Sequence, residues 1–361
     1  MRDHDKLLHY FHSSPLWDKS LIEEQSPIVI AGPCSAESRS QVLATAWALK
    51  KEGVRIYRAG VWKPRTYPSS FEGIGEEALL WLQEVRNETQ MLVGCEIGSA
   101  SQATLALRYQ MDYVWIGART TSSPFAISEI AEALKGSDIT ILVKNPLSPS
   151  MDLWKGAIIR FINAGLYKIG VLHRGFDIGT QDELRYPPLW EEVLRFKNEV
   201  PGIPFYFDPS HIAGSRQFLH PLIQKAKDSK YDGFMIESHL QPELAWSDAN
   251  QQIHPELINY LLNTPVLSEE ILDLYRKELD HLDEQFISLV AKRRELSKAI
   301  GMIKASQGLT PFQEDRYQRT KKKFALLSSK YNIPVELSEK LFEEIHHDSA
   351  NLQELLNNEN N

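Results

Sequence analysis

Apolar positions along this chain follow two different periods. In the first two thirds, short apolar runs alternate with amphipathic stretches: PIVIAG from Pro27, VRIYRAG from Val54, MLVGCEI from Met91, YVWIGA from Tyr113, TILVKN from Thr140, KIGVLHR from Lys168, IPFYFD from Ile203 and DGFMIES from Asp232. Each run is too short for a helix and rich in β-branched and aromatic residues. Each is also apolar at nearly every position, as a strand of a parallel sheet buried on both faces must be. Eight such strands, each followed by a helix, within about 250 residues predict an α/β fold of the (β/α)8 TIM-barrel type. A doubly wound sheet is the lesser alternative.

Near Asn263-Thr264-Pro265 the period changes. Tyr275, Leu279, Leu282, Phe286, Leu289, Leu296, Ile300 and Ile303 recur at helical spacing, predicting one long helix started by Ser268 with Glu269 and Glu270 in its first turn. Two shorter helices follow, around 315–331 and 335–357. All eight tryptophans, and every glycine except Gly301 and Gly308, lie before Val266. The chain therefore divides into a barrel over 1–265, with a short N-terminal extension, and an all-α three-helix domain over 266–361. A long helix with an apolar seam cannot satisfy itself in water and must pair with the shorter helices or a second chain, so a homodimer through this domain is expected. Arg293 falls on that seam between Leu289 and Leu296. It either forms a buried pair that fixes register or faces an anion inside the bundle.

Composition narrows the function classes. The 361 residues carry a net charge of −8 with no basic tract, which argues against nucleic acid as the main partner. No apolar stretch reaches a membrane span and the N-terminus lacks a signal-peptide core, so a soluble, cytoplasmic protein is expected. Two cysteines, Cys34 and Cys95, are too few for a disulfide framework.

In such a barrel the active site lies at the C-terminal strand ends. The predicted strands deliver there Cys34; Arg58 with Lys63 and Arg65; Glu96; Arg119; Lys144; His173 and Arg174; Asp208 and His211; Glu237 and His239. The six cations Arg58, Lys63, Arg65, Arg119, Lys144 and Arg174 would converge in a protein that is acidic overall, which implies substrates carrying several phosphate or carboxylate groups. Cys34, His211, Glu237 and Asp248 offer the mixed sulfur, nitrogen and oxygen donors of a first-row divalent metal site, and manganese, iron, cobalt and zinc all tolerate them. Singly, each has an ordinary structural explanation. Together, on strands that are neighbours once a barrel closes, they point to a metal.

The motifs AGPCSAES at Ala31, KPRTYPSSFEG at Lys63, IGAR at Ile116, DPSH at Asp208 and IESHL at Ile236 followed by SDANQQI resemble 3-deoxy-D-arabino-heptulosonate 7-phosphate (DAHP) synthase, type I beta subfamily, over 26–262. The resemblance implies condensation of phosphoenolpyruvate with erythrose 4-phosphate, at the entry to the shikimate pathway and aromatic amino acid biosynthesis. It assigns phosphoenolpyruvate to Arg58, Lys63, Arg119, Lys144 and Arg174, erythrose 4-phosphate to Arg65 and Thr66, and a divalent metal to Cys34, His211, Glu237 and Asp248. Lys63 would assist proton transfer and Glu96 would position water. Related 3-deoxy-manno-octulosonate 8-phosphate synthases carry Lys-Ala-Asn-Arg-Ser where this chain has Lys63-Pro64-Arg65-Thr66, which makes arabinose 5-phosphate the runner-up aldehyde. The chain departs from close relatives at Val143-Lys144-Asn145-Pro146 and at Leu172-His173-Arg174-Gly175. Cys95 is expected to be a packing residue.

The segment LDEQFISLVAKRRELSKAIGMIK resembles the first helix of the all-helical chorismate mutases, and the likeness runs over 267–353. It implies rearrangement of chorismate to prephenate, with Arg276, Arg293, Lys304, Arg316, Ser349 and Gln353 binding substrate, Lys304 and Gln353 at the ether oxygen, and one arginine supplied by a partner chain. Gln313 and Tyr317 stand where relatives often carry acids. Alternative roles for this domain are a sensor through which prephenate or chorismate regulates the barrel, or a dimerisation module.

Overall fold

The computed structural model describes residues 16–18, 27–64, 70–179, 184–264, 269–330 and 333–359. Arg65, Thr66 and Ser268 lie outside the described residues. The chain forms two compact units, Met1–Val266 and Leu267–Asn361.

In the first unit the apolar runs form parallel strands β1 (Ile28–Gly32), β2 (Ile56–Arg58), β3 (Leu92–Ile97), β4 (Tyr113–Ile116), β5 (Thr140–Lys144), β6 (Ile169–His173), β7 (Phe205–Phe207) and β8 (Gly233–Glu237). They hydrogen-bond in sequence order, and β1 closes on β8 with Ile28 opposite Gly233 and Gly32 opposite Glu237. The covering helices are α1 (Arg39–Lys51), α2 (Glu76–Thr89), α3 (Ala100–Arg108), the short α4 (Ala118–Thr121), α5 (Pro124–Leu134), α6 (Met151–Asn163), α7 (Trp190–Glu199), the short α8 (Pro209–Ala213), α9 (Leu219–Asp228) and α10 (Leu257–Asn263). Several begin on a side-chain cap, among them Ser38, Ser99, Ser123 and Ser150, each accepting from a backbone N–H of the first turn.

Alternation along the strands divides the core in two. Val29, Ala31, Tyr57, Val93, Cys95, Val114, Ile141, Val171, Phe205 and Phe234 face the helices. Ile28, Ile30, Ile56, Tyr113, Trp115, Leu142, Leu172, Tyr206 and Met235 fill the barrel interior together with Leu16 and Trp17. Trp17 Nε1 donates to the Tyr206 hydroxyl at 2.7 Å, and Thr140 Oγ1 donates to the Leu16 carbonyl at 3.0 Å. This segment of the N-terminal extension thus fills the barrel at the start of the strands, a role that its sequence pattern did not reveal.

The second unit contains the 38-residue α11 (Glu269–Ser306), α12 (Glu314–Lys330) and α13 (Val335–Glu359), with α13 packed against both others. No helix among the described residues is long and apolar enough to cross a membrane.

Candidate active site

Strand parity builds the polar ring. The interior residues Ile56, Leu142, Leu172, Tyr206 and Met235 are each followed two positions later by a polar residue: Arg58, Lys144, Arg174, Asp208 and Glu237. These side chains therefore stand on the interior layer at the C-terminal mouth, the position that side-chain alternation dictates. His173 has the opposite parity. It does not join the ring but lies among Phe176, Trp190, Phe207 and Tyr231 under the helices, with Nδ1 2.8 Å from the Tyr231 hydroxyl. Burial pushes its pKa down to about 3.

A cavity of about 360 Å³ opens at the mouth, walled by the cations Lys63, Arg119, Lys144, Arg174 and Arg185 together with Glu96, Tyr186, His211 and Asp248. Arg58 is buried, its guanidinium 4.9 Å from the Trp115 ring centre and Nη2 3.2 Å from Glu237 Oε1. Trp115 Nε1 donates to Glu96 Oε2 at 2.8 Å. Gly117 makes room for that carboxylate, since a Cβ there would meet Glu96 Oε1 at 2.4 Å. Arg174 stacks 3.8 Å over the Tyr186 ring, and burial lowers its pKa. Asn145 ties together the two segments that depart from the family pattern: its Oδ1 accepts from Arg174 N, and its Nδ2 donates to the Gly175 carbonyl, both at 2.7 Å.

The four expected metal donors lie at this mouth in two close pairs. The Cys34 thiol is 3.2 Å from Asp248 Oδ2, and His211 Nε2 is 3.8 Å from Glu237 Oε1. Among the described residues no group of three or more His, Cys, Asp or Glu side chains stands ready-made for a metal ion. Each pair is instead compensated by neighbouring charge. Lys63 Nζ donates to Cys34 Sγ at 2.8 Å and to the Cys34 carbonyl at 2.9 Å. Burial, reinforced by Glu237, pushes the Cys34 thiol up to about 12, so sulfur keeps its proton while Lys63 sits beside it. Burial alone would lift the Glu237 carboxyl, but His211, Arg58 and Lys63 outweigh it and hold the group below its ordinary range. Asp248 is held well down in the same way, with Lys63 and Arg185 outweighing burial.

Asp208 caps α8, accepting from His211 N at 3.1 Å, and its Oδ2 lies 2.8 Å from His211 Nδ1 and 3.2 Å from Lys144 Nζ. A carboxylate beside Nδ1, with Nε2 turned toward Glu237, is the usual support for a ligating histidine.

In the helical unit, Arg293 donates to the Ile345 carbonyl at 2.9 Å and to Ser349 Oγ, while Lys304 Nζ donates to Gln353 Oε1 at 3.1 Å. Four of the six expected residues thus meet along the α11–α13 contact. Burial lowers the pKa of both cations. Arg276 and Arg316 are exposed. Arg276 is seventeen residues before Arg293 on the same helix, about 26 Å along its axis, so these two do not meet within one chain. Arg293 lies at the edge of the apolar stripe, about 40° round the helix from Leu289: Leu289 and Leu296 are 63% and 67% exposed, whereas Arg293 is half-buried against α13. Tyr317 packs against Phe312, Phe342 and His346.

The model of the DAHP synthetase I family matches residues 18–271. The chain belongs to this family. Residues 275–354 match chorismate mutase type II, so a DAHP synthase domain and a chorismate mutase domain are joined in one enzyme. The chain is 31% identical over 237 residues to phospho-2-dehydro-3-deoxyheptonate aldolase of Thermotoga maritima, covering 65% of this chain and 67% of that protein. It is 27% identical over 259 residues to 2-dehydro-3-deoxyphosphooctonate aldolase of Rhodopseudomonas palustris strain BisB5, covering 65% and 85%. Among solved structures it resembles the crystal structure of the Thermotoga maritima DAHP synthase, with a TM-score of 0.59, 29% identity and 69% of each chain covered.

Within the DAHP synthase domain, sequence reasoning overlooked Asn145, Arg185 and Gln251. All three lie outside the strands, where no periodicity marks a side chain's direction, although Gln251 falls inside the motif SDANQQI.

Proposed function

We propose that the chain is bifunctional: a metal-dependent synthase that condenses phosphoenolpyruvate with D-erythrose 4-phosphate to DAHP plus phosphate, and a mutase that converts chorismate to prephenate. The cations gathered around one cavity in an acidic protein, with Arg58, Lys144 and Arg174 buried, carry the first half. Lys144, Arg174 and Arg119, with Arg58 beneath, offset the charge of the phosphoenolpyruvate phosphate and carboxylate and hold carbon 3 against the aldehyde. Lys63 holds the proton destined for the aldehyde oxygen as the new carbon–carbon bond forms. Glu96, held at Oε2 by Trp115, orients the water that adds at carbon 2 before phosphate departs. Arg65 and Thr66 take the phosphate of erythrose 4-phosphate.

Cys34, His211, Glu237 and Asp248 are the residues that would hold a divalent metal, and their donor set suits manganese, iron, cobalt or zinc. The fit is supported by Glu237 Oε1, a buried oxygen that accepts no hydrogen bond and has the Arg58 guanidinium at 3.2 Å to balance its charge. When bound, the metal supplies Lewis-acid polarisation of the aldehyde carbonyl.

The test is phosphate release from phosphoenolpyruvate and erythrose 4-phosphate by the full chain before and after chelation. The rate is expected to fall to background and to return with Mn²⁺, with arabinose 5-phosphate a much poorer aldehyde. Full activity in chelated enzyme would show the ligand assignment to be wrong.

The second half rests on Arg293 meeting Ser349 and Lys304 meeting Gln353 along the α11–α13 contact. The mutase needs no covalent group, only cations that hold a dicarboxylate compactly and donors that stabilise charge developing on the ether oxygen. Arg316 completes the set, and Arg276 comes from a second copy.

A further inference from the structure

Each carboxylate of the proposed metal set has one oxygen engaged elsewhere, and the engagements share a single bridge. Arg185 Nη1 donates to Asp248 Oδ1 at 2.9 Å and to Gln251 Oε1 at 3.0 Å. Gln251, itself buried, donates from Nε2 to Glu237 Oε2 at 2.7 Å. The oxygens left over, Asp248 Oδ2 and Glu237 Oε1, are the ones beside Cys34 Sγ and His211 Nε2. Arg185 also reaches the segment that carries His211. Its backbone N–H donates to the Ala213 carbonyl at 3.4 Å, and that of Tyr186 donates to the Ile212 carbonyl at 3.2 Å. Gly214 permits this approach, for it has φ +68° and a Cβ there would meet Arg185 Cβ at 2.6 Å. Asp248 lies in the left-handed region at φ +49°, which Asp adopts more readily than most residues.

We propose that Arg185, acting through Gln251, is a positioning residue that holds the outer oxygen of each of the two metal-binding carboxylates, turns the other toward Cys34 and His211, and links the loops after β6, β7 and β8 into one frame. It touches neither substrate nor metal in this role. Its guanidinium neutralises the outer face of Asp248 and leaves Oδ2 to the site. Gln251 does the same for Glu237 without adding charge. The turn around Asp248 does not depend on Arg185 alone, because Arg216 Nη2 donates to the Ala249 carbonyl at 3.0 Å.

The inference rests on the metal reading above, and its test separates the two. Metal-depleted full chain is titrated with Co²⁺ in the parent and in Arg185→Met, Arg185→Lys, Gln251→Met and Cys34→Ser variants, following calorimetric affinity and the visible cobalt bands. Arg185→Met and Gln251→Met are expected to bind Co²⁺ about 10–100-fold more weakly, with altered visible bands, as losses around ligating residues typically do. Arg185→Lys should recover part of the affinity, since it restores the charge. Thermal unfolding of each variant identifies those that remain folded, and either Met variant suffices. Parent-like affinity and bands in a folded Met variant overturn the positioning role alone. A parent that binds no Co²⁺, or a Cys34→Ser variant that binds as tightly as the parent, overturns the metal site and the positioning role with it.

Discussion

Single residues in this barrel take their roles from parity and burial. Ile56 and Arg58, Leu142 and Lys144, and Met235 and Glu237 are pairs two apart, the lower member packing the interior and the upper standing on the same layer at the C-terminal mouth. That much is legible in the apolar runs, because a strand's period is two. His173 sits one step out of phase, and its chemistry follows. An ordinary histidine titrates near 6.5, whereas this one is held at about 3 by burial. Between those pH values the unfolded chain binds a proton that the folded chain refuses, so stability is full above 6.5 and falls as pH drops toward 3. This group contributes up to about 1.4 kcal/mol per pH unit. His173→Gln keeps a polar partner for Tyr231 without the titration. Denaturant unfolding between pH 6.5 and 4.5 should show a shallower loss of stability in the variant, and identical slopes would refute this account. Asn145 and Arg185 were illegible for a complementary reason: loop side chains are aimed by tertiary hydrogen bonds, to Gly175 and Arg174 in one case and to Asp248 and Gln251 in the other.

Whole elements were legible where their pattern was long. The eight apolar runs became eight strands, and the seam from Tyr275 to Ile303 became one helix, α11. Not legible was which face of that helix meets α13. In an isolated chain Leu289, Leu296, Ile300 and Ile303 remain exposed, while Ser297, Gly301, Arg293 and Lys304 face α13 or lie beside it. Gly301 belongs to that contact because Gln353 approaches closely, its Cγ 3.0 Å from where a Cβ would lie. The apolar stripe is the surface on which a second copy would bring Arg276 to Arg293, about 26 Å away on the same helix. Leu289→Glu with Leu296→Glu places charges on that stripe and leaves the Arg293–Ser349 contact alone. Light scattering should show the doubly substituted chain as a monomer. Prephenate formation from chorismate should be lost while DAHP formation persists. A variant that stays dimeric and active would remove α11 from the interface.

At the scale of the molecule, the two matched families perform distant steps of one pathway, so their joining in a single chain invites coupling between them. The sequence divides them near residue 265 by period and composition, and the fold divides at Val266 and Leu267. Coupling is a free energy shared by two sites, and it acts in both directions. If prephenate in the helical unit weakens phosphoenolpyruvate binding in the barrel, phosphoenolpyruvate must weaken prephenate binding by the same factor, about 5–150-fold for ordinary coupling energies of 1–3 kcal/mol. Two calorimetric titrations of the full chain check this: phosphoenolpyruvate with and without saturating prephenate, then the reverse. Equal factors well above one establish the helical unit as a sensor, and Arg293→Ala should bring both factors to one. That result is compatible with turnover of chorismate by the same residues, since product and effector are then one molecule. Factors of one in the parent chain would leave the helical unit as a mutase and dimerisation element with no hold on the barrel.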